Sequence, residues 1–280
     1  MSNIIATAPN SQRKMASQKK AGFTLIELSI VLVIIGLIVG GVLVGQDLIR
    51  AAEVRSAIAQ VEKLNTGVNT FRGKFNAVPG DMATSIATQF GFGNASCAGT
   101  AGLRDGNGVL EGNAGSGSLL QAGGETGLFW NDISSSTAGN LIDGSFSTAT
   151  CVGVPTVPST SFTAYFPPSK LGRGAYLYVY ADSGYNFYGM STISAVASGV
   201  LTSAVSLSVM QAYNIDTKMD DGRPTTGNVL ARHLDISTVT PSTNAAAASA
   251  TTCYETTGST YTISTNNGAG GNCSLSFRFQ

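Results

Sequence analysis

No charged residue occurs between Leu28 and Val44, and almost every side chain in that stretch is apolar. Extended from Phe23 to Gly45, the run is long enough to cross a hydrocarbon layer, which takes about 20 helical residues. A secretory signal peptide has a shorter apolar core, ending at a small-residue cleavage site and followed by non-helical sequence. Here the helical pattern carries on past the apolar run. Arg13, Lys14, Lys19 and Lys20 precede it, and the first 22 residues contain no acidic group. Basic residues stay on the cytoplasmic side of a membrane, so the expected arrangement is a single pass with a cytoplasmic N-terminus and an exported remainder.

One acid interrupts the apolar pattern. Glu27 is the fifth residue after Gly22. A carboxylate deep in lipid costs roughly 2.5–3.5 kcal/mol. Two readings accommodate it. Glu27 lies near the interface and reaches water, or it is paired. If the chain is cut after Gly22, an amine appears on Phe23, and a neighbouring copy's amine can neutralise Glu27 where the dielectric is low. Such a pair would set the axial register between subunits.

The stretch KKAGFTLIELSIVLVIIGLI closely resembles the processing site of type IV prepilins and type II secretion pseudopilins. The resemblance is strong from Lys19 to about Arg55 and rests on G-F-T-L-I-E-L followed by an apolar run. It implies that a prepilin peptidase cuts between Gly22 and Phe23 and methylates Phe23. It also implies that Glu27 serves assembly, with other pilin or pseudopilin subunits and an inner-membrane assembly platform as partners, and that the chain sits in the bacterial inner membrane with its head periplasmic, reaching the cell surface or a periplasmic filament after assembly. Two features depart from the family pattern. The leader is long, and a start at Met15 would give the more typical MASQKKAG. The membrane span has no proline; Gly36, Gly40, Gly41 and Gly45 stand there instead, able to loosen the helix by roughly 1 kcal/mol each or to allow close helix packing.

Beyond Gly45, apolar residues recur at Val54, Ile58, Val61, Leu64, Val68, Phe71 and Phe75, in steps of four and three. That is one stripe of an amphipathic helix. Arg50, Glu53, Arg55, Gln60, Glu62 and Lys63 occupy the other face, and Pro79-Gly80 stops the helix. The spacing predicts one helix over residues 23–75, roughly 80 Å long at 1.5 Å per residue. Residues 23–45 form its transmembrane half and residues 46–75 its amphipathic half. The expected organisation is a leader (1–22), this helix, and an exported globular head (76–280). The expected fold is α+β, a pilin-like lollipop whose helix packs on an antiparallel β-sheet head with long loops.

Charge argues against a nucleic-acid partner for that head. Basic and acidic residues number 16 each, so the net charge is zero, without the basic excess such binders show. Only 11% of residues are charged, and glycine reaches 34, a composition of turns and strands. The four cysteines, Cys97, Cys151, Cys253 and Cys273, are not in C-x-x-C pairs, which weakens zinc and redox readings. Three disulfide connectivities are possible. Pairing sequence neighbours, Cys97–Cys151 and Cys253–Cys273, closes the shorter loops and would add about 3 kcal/mol each.

Within the turn-rich stretch after Gly80, Asp105, Asn107 and Glu111 alternate with glycines as oxygen donors. They suit a calcium loop, although an EF-hand needs more acidic ligands and a distal bidentate glutamate; D-G-N-G also reads as a tight turn. The segment ETGLFWNDI predicts a short helix with Leu128, Phe129 and Ile133 inward. Residues 175–180 read as a strand with Tyr176, Tyr178 and Tyr180 on one face, turning at A-D-S-G-Y-N into a partner strand over residues 185–190. The tyrosine row reads as a sheet face packed on a helix, or as a carbohydrate or surface patch. A further short helix is expected over residues 206–218. Asp216, Asp220 and Asp221 cluster at its end, either as a cation site or as a helix stop whose aspartates hydrogen-bond the backbone. The tail closes on S-L-S-F-R-F, which alternates like an edge strand.

No P-loop, dinucleotide fingerprint, HExxH or nucleophile elbow occurs. His233 is the only histidine, and no serine context singles out a nucleophile beside it. The sequence therefore reads as a non-enzymatic structural subunit of a type IV pilus or type II secretion pseudopilus. The alternative is a minor pilin whose head is an adhesin or a DNA-uptake module.

Overall fold

A computed structural model describes residues 22–92, 104–112, 123–147, 157–197, 200–234, 242–243, 253–255, 260–264, 268 and 270–280. Cys97, Cys151, Met15 and the leader up to residue 21 lie outside the described residues. The chain divides into two units, Met1–Leu48 and Ile49–Gln280.

Helix α1 runs from Leu25 to Phe75. In the first unit it is apolar all round, and its large side chains from Phe23 to Leu48 are exposed. A helix of that kind has no single apolar stripe. In the second unit the four-and-three spacing takes effect. Val54, Val61, Leu64, Val68, Phe71 and Phe75 are buried, with Ala57 and Gly67 beside them, while Ile58 is partly buried. Gly67 sits where a Cβ would meet Ile133 at 3.3 Å and Ile142 at 3.4 Å, so the absent side chain permits a close approach. Each large apolar side chain buried along the stripe contributes about 1.5–3 kcal/mol.

α2 (Thr84–Phe90) follows the Pro79-Gly80 stop, in a stretch that reads as loop by composition. Ala87 joins Phe71, Phe75, Met82 and Phe92 in a small aromatic-rich cluster, with the Phe75 and Phe92 rings edge to face at 5.0 Å. α3 (Gly124–Ser134) buries Leu128, Phe129, Trp130 and Ile133. α4 (Val209–Met219) opens on a capping box. The Ser208 hydroxyl oxygen accepts from the Gln211 N–H, and the Gln211 side chain accepts from the Ser208 N–H.

The main sheet has five antiparallel strands: β1 (Ala175–Asp182), β2 (Tyr185–Ala197), β3 (Val200–Ala204), β4 (Val229–Leu230) and β7 (Leu275–Arg278). β1 and β2 form the expected hairpin, with Tyr178 opposite Gly189. β2 is long enough to hold β1 along one edge and β7 and β3 in succession along the other; Thr192 pairs with both Ala175 and Ala204. β4 pairs the far side of β7, so S-L-S-F-R-F lies inside the sheet rather than at its edge. β5 (Arg232–His233) and β6 (Ser242–Thr243) form a separate pair.

Both sheet faces are covered. Leu177, Val179, Tyr188 and Met190 share one face, which faces α3, where Tyr188 meets Phe129 edge-on at 6.1 Å. Tyr178 and Tyr180 occupy the other face and are fully buried. Their cover is the strand segment around Arg232–Leu234 rather than a helix. The Tyr178 hydroxyl accepts from the Leu234 N–H at 3.3 Å, and the Arg232 guanidinium stacks 4.2 Å from the Phe187 ring. Those tyrosines are core, not a surface patch. A Cβ on Gly189 would fall inside van der Waals contact with the Tyr178 ring, so glycine is required there.

Cys253 and Cys273 form a disulfide, with Cα atoms 5.0 Å apart. Cys273 also exchanges two backbone hydrogen bonds with Leu207, just before α4. The bridge therefore ties the C-terminal loop to the start of that helix.

Candidate functional site

The first site is the N-terminal end of α1. Gly22 and Phe23 precede the helix and are exposed, Phe23 to 90%. Thr24 and Glu27 form a reciprocal cap. The Thr24 N–H and hydroxyl donate to Glu27 Oε2 at 2.8 and 2.7 Å, and the Glu27 N–H donates to Thr24 Oγ1 at 3.3 Å. This is the S/T-x-x-E arrangement, which satisfies helix N–H groups that have no intrahelical acceptor. A carboxylate there also faces the positive end of the helix dipole. Glu27 is thus fixed at the end of an apolar rod, beside the position where cleavage after Gly22 would create an amine.

Among the described residues, two acidic groups stand in the second unit. The structure brings Asp105 to Asp81 and Glu125, with carboxylate oxygens within 4.8 Å of one another. It does not bring in the Glu111 side chain. Glu111 contributes backbone instead: its N–H donates to Glu125 Oε2 at 2.9 Å, and its carbonyl accepts from the Glu125 N–H at 3.0 Å. Asn107 folds back on Asp105, donating its N–H at 3.0 Å and its amide at 2.8 Å. Asp81 and Glu125 accept backbone N–H groups on both oxygens: Gly106 at 2.9 Å and Gly108 at 2.6 Å on the first, Asp105 at 3.2 Å and Glu111 on the second.

Carboxylate oxygens are the donor class calcium takes. Here the oxygens of the two buried members already hold the 105–111 loop to the α1–α2 turn and to α3. Burial, and then the neighbouring acids, pushes the Asp81 and Glu125 carboxyls above the usual range. Sequence reading missed both residues, because their partners lie many residues away along the chain. It also missed the ion pair beneath them. Arg104 Nη2 donates to Asp132 Oδ1 at 2.7 Å with both side chains fully buried, and Asp132 Oδ2 accepts the Gly80 N–H at 2.9 Å.

Asp216, Asp220 and Asp221 do come together at the end of α4. Asp216 accepts the Tyr261 hydroxyl at 2.7 Å and the Gly222 N–H at 3.1 Å. Asp220 accepts the Asn228 and Val229 N–H groups leading into β4. Asp221 accepts the Arg223 N–H at 2.9 Å and the Thr226 hydroxyl at 2.6 Å. Burial raises the Asp216 carboxyl to about 6. What these oxygens do among the described residues is shape the 220–229 turn and anchor the disulfide-bounded loop through Tyr261. His233 sits in β5, half-buried.

The chain carries the prokaryotic N-terminal methylation motif over residues 17–43, the signature of type IV pilins and pseudopilins. The motif covers the capped start of α1 and nearly all of the exposed apolar run. No curated protein and no solved structure matches the chain.

Proposed function

We propose that this chain is a structural subunit of a type IV pilus or a type II secretion pseudopilus, assembled through its N-terminal helix after leader cleavage. One observation carries the reading: the methylation motif at residues 17–43 coincides with a helix whose large apolar side chains, from Phe23 to Leu48, are exposed. Lipid before assembly, and the stems of sister subunits after it, would cover that surface.

In this reading a prepilin peptidase cuts after Gly22 and methylates the amine of Phe23. The basic residues before the cut hold the N-terminus in the cytoplasm, and the head is exported to the periplasm. In the single chain Thr24 meets the Glu27 carboxylate through hydrogen bonds alone. During assembly the amine of a neighbouring subunit's Phe23 supplies the opposite charge, which in a low-dielectric filament core attracts far more strongly than in water. An inner-membrane platform adds the subunit at the filament base.

Mass spectrometry of the chain isolated from cells with the cognate peptidase tests this. The expected N-terminus is N-methylated Phe23. An intact leader, or a cut at any other bond, overturns the reading.

A further inference from the structure

A polar cleft of about 460 Å³ opens between α1, the residues before β4 and the end of β7. Its volume falls within the range of small-ligand sites. Four amide side chains line it: Asn65 and Asn69, one turn apart on α1, Asn228 at the entry to β4, and Gln280 beyond β7. Asparagine is a poorer helix former than alanine or glutamine, so two at this spacing cost α1 some stability. Among the described residues the side chains of Asn65, Asn69 and Asn228 make no hydrogen bond within the protein, and Asn65 Oδ1 is enclosed without a partner. Each amide offers two donors and an acceptor in one plane.

Arg278 stands at the same cleft. Its guanidinium carbon lies 3.4 Å from the Tyr185 ring centroid. Stacking holds the guanidinium plane, and among the described residues its N–H groups meet no acceptor, so the fork can receive a carboxylate with two parallel bonds. Among the described residues no acidic side chain lines the cleft. Phe279 adds an apolar wall, held by stacking on Tyr188 at 4.1 Å.

We propose that this cleft binds an acidic saccharide, a sugar ring carrying a carboxylate. The Arg278 edge receives the carboxylate, the asparagine amides pair with ring hydroxyls that both donate and accept, and Phe279 faces the C–H surface of the ring. This reading is independent of filament assembly, since every residue in it belongs to the second unit.

The test uses the full chain in micelles of a polyoxyethylene detergent, which has no sugar headgroup. Methyl glucuronide, methyl glucoside, acetate and inorganic phosphate are titrated by calorimetry and saturation-transfer NMR. Saturable binding of methyl glucuronide is expected, at least about tenfold tighter than methyl glucoside, as loss of one charged hydrogen-bonded contact predicts. Asn69→Ala and Asn228→Ala, both at exposed positions, each weaken glucuronide binding about tenfold or somewhat less. Arg278→Gln removes the preference for glucuronide over glucoside. An unchanged melting temperature in the two asparagine variants shows that the fold is intact. Four results overturn the proposal: no saturation with methyl glucuronide, equal affinity for the two sugars, binding indifferent to both asparagine substitutions, or acetate or phosphate binding as tightly as the glucuronide.

Discussion

Replacing Asp132 by alanine strikes the most deeply buried charge pair described in the second unit. Asp132 and Arg104 are each fully buried, 2.7 Å apart, and Asp132 also receives the Gly80 N–H. Alanine strands the guanidinium in a low-dielectric interior and leaves a backbone donor without its acceptor. Breaking a buried pair from one side costs about 3–5 kcal/mol. For a unit of this size each kcal/mol moves the melting temperature by about 2–4 °C, so a fall of roughly 6–20 °C is expected. The readout is built in. Trp130 is the only tryptophan, lies two residues before Asp132 in α3 and is buried, so its fluorescence reports the unit directly. The double variant Arg104→Met with Asp132→Leu removes both charges together and should recover much of the loss, because the desolvation cost of each ion vanishes with it. A loss below about 1 kcal/mol for Asp132→Ala, or a double variant as unstable as the sum of the singles, would refute the reasoning.

Asp216 titrates at about 6 because burial disfavours its charge. Its folded-state value lies above the ordinary value of 3.8, so the folded chain keeps a proton that the unfolded chain releases. Its contribution to stability therefore falls as pH rises from about 4 to about 6, at up to about 1.4 kcal/mol per pH unit, and is constant above, on top of the same-signed contributions of Asp81 and Glu125. Asp216→Asn should reduce, without abolishing, the slope in denaturant melts across that window; an unaltered slope contradicts the assignment. Gly189→Ala should cost about 1–3 kcal/mol by driving a methyl into the buried Tyr178 ring, and a neutral result in the same melt would show that the ring moves freely. Glu27→Ala should leave membrane insertion intact and cut filament yield severely, scored by fractionation and electron microscopy; wild-type filaments from that variant would remove the proposed charge pair.

Local periodicity carried much of the fold into the sequence. The α1 stripe, the β1–β2 hairpin, the α3 and α4 segments and the Cys253–Cys273 bridge each depend on residues close in the chain, and each could be read from spacing. The N-terminal methylation motif is likewise local, and the Thr24–Glu27 cap inside it spans only three residues. The apolar run alone dictates a helix that is hydrophobic all round over residues 28–44. Tertiary structure decided the rest. β7 enters between β2 and β4 from the far end of the chain, and it places Ser276 under the Tyr180 hydroxyl at 2.7 Å. Asp81 meets Gly106 and Gly108 across a gap of about 25 residues, and Glu125 takes the place that spacing assigned to Glu111. The amides of the cleft come from α1, the approach to β4 and the end of β7. Such contacts form only after loop closure brings distant backbone together, and no local pattern encodes which carboxylate a loop will meet.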